Sequence, residues 1–291
     1  MEHFVDLTLS GVTTGFAIAA IGLSLVLIWR ATRIVNFAQG GMALVCAYVA
    51  YSVTRHTGSY WLGFAAAIGS GLVLGAVAER LLIRRVEDKP PLNAVIVTLG
   101  LLVLCQAGVG MVYGVNQLSY PYAFDFHGYR VGGKSISFSP ADMFAVLAVL
   151  AVGLGLFLVF RYTAVGLRMR AAAFAPEVSR LLGVRTGRVL TLGWALAAAV
   201  GALAGMLTAP PLISPNALDG LFVYGFTAAV VGGLDSAVGA VVGGLLVGLA
   251  LAYVSGYASA NLATTAALGI LLFVLLIRPN GLFGRSAARR V

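Results

Sequence analysis

Seven stretches without a single charged residue, 7–29, 34–54, 57–78, 90–124, 143–160, 189–218 and 236–277, take up most of this chain. A helix needs about 20 apolar residues to cross a bilayer, and in hydrocarbon only helices and closed barrels satisfy their own backbone donors and acceptors. Runs of this length select the helical solution. Charged residues make up 10% of the 291, against about a quarter in a soluble domain, so no soluble domain fits beside the spans. The expected fold is all-α, a polytopic integral membrane helical bundle formed by one transmembrane domain over 1–291.

The number of crossings turns on the C-terminal third. Stretch 221–234 has 14 residues, short for a crossing, whereas 236–277 has 42 without a charge, enough for two crossings joined near 255–261. Loops on the cytoplasmic side collect Lys and Arg. With the N-terminus outside, nine crossings place Arg30 and Arg33, then Arg80, Arg84, Arg85 and Lys89, then the arginines of 161–188, then Arg278, Arg285, Arg289 and Arg290 inside, which is 16 of 19 basic residues. The expected count is therefore about nine, within about 8–10, with a cytoplasmic C-terminus and with 221–234 as a broken or protein-buried crossing. Glu2 and Asp6 precede an apolar run too long for a signal core, with no basic residue before it, so the N-terminal segment is expected to remain as the first span.

The longest interruption by charge is 161–188, with six arginines against Glu177. Leu167, Ala171, Phe174, Val178 and Leu181 follow the spacing of one helical face while Arg168, Glu177 and Arg180 fall off it, so an apolar cover is expected over that stripe. Pro176 divides the stretch, because proline breaks a helix interior yet opens one readily. Two short cytoplasmic helices follow, the second over 176–182, with Gly183 at the left-handed position that ends it. Such an element serves either as an amphipathic connector on anionic lipid or as a docking element for a cytoplasmic partner.

Polar groups inside the spans are few. Asn36 and Gln39, beside Gly40 and Gly41, interrupt an apolar run and mark either a broken, cavity-facing segment or polar glue between helices. Asn93, Thr98 and Gln106 are the polar positions of the fourth span. Asp235, between long apolar stretches, is either an intramembrane functional acid or part of a surface turn with Gly232 and Gly233. Gly11 with Gly15, and Gly201 with Gly205, have the four-residue spacing of close helix crossings. Between the fourth and fifth spans, the alternation around Gly132 and Gly133 suggests a small external hairpin. Cys46 and Cys105 read as buried fillers, and His3, His56 and His127 lie outside the spans without ligand spacing, so no metal site is expected. No phosphate-binding loop and no carboxylate relay is present, and the net charge of +9 is explained by orientation in the membrane rather than by nucleic acid. A transport protein of this kind must borrow its energy from elsewhere, whereas a membrane enzyme would need a catalytic pair that the spans lack.

Four regions, Asn36-Phe-Ala-Gln-Gly40, Thr98-Leu-Gly100, 166–184, and 231–244 with 278–284, resemble in order and spacing the permease subunits of bacterial ABC importers for branched-chain amino acids, of the LivH type. The family usually has His at Gln39, Asn at Ala175 and Ala at Ser179. The resemblance implies a multi-pass protein of the bacterial inner membrane that is not itself an enzyme and binds no cofactor. Its implied partners are a second permease subunit, similar or identical, two cytoplasmic ATPases that carry the ATP, and an external solute-binding protein. It also implies that the two short helices seat in a groove of the ATPase through Arg170, Ala171, Ala172, Leu182 and Gly183, with Pro176 opening the second helix. Asn36, Gln39, Thr98 and Gln106 are the candidates for the translocation path. Branched-chain or related small amino acids are the implied cargo, urea or short amides the nearest alternative, and a self-sufficient carrier or channel the rival from another class.

Overall fold

The computed structural model describes residues 2–87, 89–124, 128, 130–131, 134–135 and 138–284. Long helices account for most of it: α1 (Glu2–Thr32), α2 (Gln39–Thr57), α3 (Tyr60–Leu81), α4 (Pro91–Tyr113), α5 (Pro140–Tyr162), α8 (Thr186–Thr208), α10 (Ala237–Tyr257) and α11 (Ala263–Ile277). Two short helices, α6 (Ala164–Phe174) and α7 (Pro176–Leu181), lie between α5 and α8, and the 14-residue α9 (Asp219–Gly232) lies between α8 and α10. Among the described residues seven helices are long and apolar enough to cross a membrane. α9 falls outside that set by length, and α2 by the polar groups Gln39, Arg55 and His56 at its ends.

The helices alternate in direction. At one end, the close of α3 meets the start of α8, Arg33 beyond α1 pairs with Asp235 before α10, and the chain beyond α11 bonds to the close of α9, Leu282 N to Val231 O at 2.8 Å and Phe283 N to Gly232 O at 3.1 Å. At the other end, the hydroxyls of Ser52 on α2 and Tyr113 on α4 lie 2.6 Å apart, and the Phe4 and Tyr253 rings stack across α1 and α10. Two-residue strands also close that end. β1 (Leu118–Ser119) pairs antiparallel with β4 (Leu212–Ile213), joining the loop after α4 to the loop after α8. The expected hairpin is present in the backbone, β2 (Arg130–Val131) pairing with β3 (Lys134–Ser135), while Tyr129, Gly132, Gly133, Ile136 and Ser137 lie outside the described residues. Burial pushes the Tyr122 phenol up to about 12, so it stays neutral and donates to Ala209 O at 2.7 Å, sealing the same end.

α1 and α8 are the most enclosed spans, and α4, α5 and α11 the outermost. The outer helices expose large apolar residues such as Leu104, Leu154 and Leu276, the surface that hydrocarbon solvates. Inside, contact depends on small residues. α1 and α10 cross where a Cβ on Gly248 would stand 2.3 Å from Gly15 Cα, and one on Gly244 would stand 2.6 Å from Ala19 Cα. Lipid supplies no hydrophobic drive between helices, so this backbone approach is what binds the pair. Gly11 and Gly15 thus act as their spacing suggested, though their partners come from α10, which the spacing does not name.

Gly248→Leu forces α1 and α10 apart. We expect a loss of about 1–3 kcal/mol, read as a lowered unfolding temperature of the detergent-solubilised protein, whereas Gly269→Leu on α11, where a Cβ meets nothing within 4 Å, leaves it unchanged.

Candidate functional site

The basic stretch folds as a helical hairpin at the end of the bundle that holds Arg33 and Asp235. Thr163 caps α6, its hydroxyl accepting from Gly166 N at 3.2 Å. Pro176 opens α7, where the missing proline N–H costs nothing. α7 closes as the Gly183 spacing predicts: Gly183 takes φ +82°, its N–H reaches Arg180 O at 3.0 Å, and Val184 N–H reaches Ser179 O at 2.9 Å.

The packed side of this hairpin differs from the expected stripe. Gly166, Met169, Ala172 and Ser179 turn inward, while Leu167, Ala171, Val178, Leu181 and Leu182 face out, Leu181 and Leu182 being 88% and 78% exposed. A Cβ on Gly166 would strike Phe160 O at 2.4 Å, so the close turn from α5 fixes which face of α6 meets the bundle. Arg170, Ala171, Leu182 and Gly183 thus stand on the open surface, and Ala172 does not. The side chains of Phe174 and Pro176 lie outside the described residues.

Beneath the hairpin lies a polar cluster that sequence reasoning missed. In the sequence Glu79 opens a charged segment that runs to Lys89; in the structure it belongs to the last turn of α3 and is 1% exposed. Arg84 donates to it through Nε at 3.0 Å and Nη2 at 2.8 Å. The same Nη2 reaches Gly187 O and Thr191 Oγ1 on α8, both at 2.9 Å, and Thr191 donates to Glu79 Oε2 at 2.6 Å. One step outward, Arg180 Nε donates to Thr186 Oγ1 at 3.0 Å, tying α7 to the first turn of α8. An acid five residues before an arginine at a helix end is the only signal in the sequence, and it names no partner on α8.

Deeper in the bundle, 33–38 is non-helical backbone between α1 and α2, as the polar interruption suggested. Asn36 and Gln39 are fully enclosed. Asn36 Nδ2 donates to Gln39 Oε1 at 2.9 Å, and Gln39 Nε2 donates to Ala197 O of α8 at 3.1 Å. Gly201, one turn on, leaves room for that amide: a Cβ there would stand 2.1 Å from Gln39 Nε2. Thr98, also enclosed, bonds back to Ala94 O of its own helix. Gln106 donates to Asp219 at the start of α9 at 2.6 Å. Of the four candidate path residues, Asn36 and Gln39 bond to each other, while Thr98 and Gln106 bond elsewhere. Asp235 sits in the turn between α9 and α10, half-exposed and paired with Arg33, which takes the left-handed conformation at φ +56°.

The model of the family described as branched-chain amino acid transport system / permease component matches residues 7–277. This chain belongs to that family. It is 31% identical over 306 residues to the high-affinity branched-chain amino acid transport system permease protein LivH of Escherichia coli K12, covering 99% of this chain and 98% of LivH. It is 27% identical to BraD of Pseudomonas aeruginosa, with the same coverage. Among solved structures, a chain of PsaBC from Streptococcus pneumoniae in complex with Fab superposes with a TM-score of 0.52 at 13% identity, covering 97% of this chain and 94% of that one, a likeness of fold alone. In this permease the two C-terminal signatures, distant in sequence, interlock: Gly281 at φ +74° packs its Cα side onto Gly233 at φ +97°, and the amides of 282 and 283 satisfy the carbonyls that end α9.

Arg84→Ala strands the Glu79 carboxylate without its cation, and we expect it to destabilise the permease by about 3 kcal/mol. Glu79→Leu/Arg84→Leu removes both charges and stays near the wild-type unfolding temperature, since the Thr191 hydroxyl can turn its proton to Gly187 O, 2.8 Å away. Thermal unfolding in detergent compares the two.

Proposed function

We propose that this permease subunit of an ABC importer works with a second permease chain, similar or identical, two cytoplasmic ATPases and an external solute-binding protein, and carries branched-chain or related small amino acids inward. The observation that carries the reading is the α6–α7 hairpin. It exposes Leu167, Val178, Leu181 and Leu182 among Arg168, Arg170 and Arg180 at the basic end of the bundle, a surface with an apolar centre and a cationic rim. Gly183 leaves the tip of α7 without a side chain, with nothing within 4 Å of its Cβ position, so a partner can close directly onto the helix end. Arg170, Ala171, Leu182 and Gly183 are the proposed ATPase contacts, Pro176 sets where α7 starts, and Ala172 supports α6 from below. ATP binds on the partner subunits, and this chain supplies no catalytic group.

Nine crossings support this arrangement best. α2 and α9 join the seven longer spans because the direction of the chain alternates through both of them, and the Arg- and Lys-bearing ends then share the cytoplasmic side. α9 needs no full bilayer of apolar length, since it is walled by α1, α10 and α11 and its last carbonyls are bonded by 282–283. Alternating access would follow from ATP-driven closure beneath the hairpin, with Gln39, backed by Asn36, the candidate path residue that bonds to the moving α8.

Gly183→Trp is expected to insert normally but to lose the ATPase on co-purification of the tagged permease, with transport falling to background in reconstituted vesicles. Retention of the ATPase by that variant would sink the docking site. For topology, in the permease expressed without its ATPase, a cysteine at Leu182 should react with an impermeant maleimide only in inside-out vesicles and one at Gly58 only in right-side-out cells.

A further inference from the structure

The Glu79–Arg84–Thr191 cluster is placed where a mechanical link is needed. α8 begins at the hairpin: Thr186, its first residue, is held by Arg180 of α7, and Gly187 and Thr191, on its first two turns, are held by Arg84. Below that grip α3 and α8 pack backbone to backbone, a Cβ on Gly75 standing 2.4 Å from Trp194 O and one on Gly71 standing 2.9 Å from Ala198 O. Ala197, whose carbonyl accepts from Gln39, lies 11 residues beyond Thr186, about 16 Å along a helix. A continuous rigid path therefore runs from the exposed hairpin to the buried amide of Gln39.

Stability alone does not account for the cluster. Burying a carboxylate costs several kcal/mol, and apolar side chains of similar volume serve packing equally well. What the charged cluster adds is geometry: the guanidinium reaches α3 and α8 at once, and the Thr191 hydroxyl closes the ring by bonding Glu79 from the α8 side. Sliding of α8 along α3 breaks all of these bonds together, so the two spans move as one body.

We propose that Glu79, Arg84 and Thr191 are positioning residues that clamp α8 to α3, so that displacement of the hairpin by the ATPase reaches α2 and Gln39 instead of being lost as slip of α8. The inference rests on the ATPase-docking reading above. Its substrate-independent readout is Cys46 of α2, which packs fully buried against Ala202 and Met206 of α8. In a Cys105→Ala background it is the one remaining cysteine.

The test is the alkylation rate of Cys46 by N-ethylmaleimide in the assembled permease–ATPase complex, with and without ATP plus vanadate. The clamped protein should show an ATP-dependent change in rate. Thr191→Val, which removes one hydroxyl, and the charge-free Glu79→Leu/Arg84→Leu should each shrink that change by about threefold or more. Thr191→Ser, which keeps the hydroxyl, should restore it. In all variants the nucleotide-free rate and the amount of bound ATPase should match wild type, which a merely loosened fold would not allow. An ATP response equal to wild type in Thr191→Val and in the double variant, or no response in wild type with ATPase bound, overturns the clamp. Failure of wild type to retain any ATPase instead overturns the docking reading, and the clamp with it.

Discussion

Every long helix in this permease answers to one constraint: in lipid, a backbone polar group without a partner is costly, and apolar side chains gain nothing by leaving hydrocarbon for one another. Helices form because they satisfy themselves, and they associate only where backbones come close or polar groups find each other. Both devices are visible. Gly15 against Gly248 and Gly75 against Trp194 bring main chains into contact, and Gln39 to Ala197 O and Glu79 to Arg84 and Thr191 supply the polar bonds.

These two devices converge on α8. It abuts α3 through small residues, takes the amide of Gln39 on one of its carbonyls, and begins beside the exposed α6–α7 hairpin. The exposed side of that hairpin is apolar and cationic because its inward side is already committed: Gly166, Met169, Ala172 and Ser179 meet the bundle, and Leu181 and Leu182 stay exposed among the described residues. On the proposed reading, docking and transmission would use opposite faces of one short element.

The short helix α9 shows the same constraint from the other side. At 14 residues it ends before a bilayer does, and the carbonyls of Val231 and Gly232 would be orphaned there. The turn 280–284 supplies the missing donors, which requires Gly233 and Gly281 to approach with no side chain between them. The surface pair of Arg33 and Asp235 fastens the adjacent turn to α1.

Sequence alone determined what depends on local composition. Apolar length set the helices and the two C-terminal spans, the family motifs set the class of protein, Pro176 and Gly183 set the bounds of α7, and the glycine pairs marked where helices cross closely. Tertiary structure decided what depends on partners far along the chain. The helical stripe of 167–181 could not reveal that the Gly166 turn buries its other face, and Glu79 looked like a loop charge because its ligand on α8 lies more than a hundred residues away. Asn36 and Gln39 were legible as a polar break but not as a bond to α8, while Thr98 and Gln106 share their polarity but bond to other partners. Periodicity reports which side chains share a face; only packing decides which face is covered, because each helix in a membrane is already complete in its own backbone bonds and takes its orientation from its neighbours.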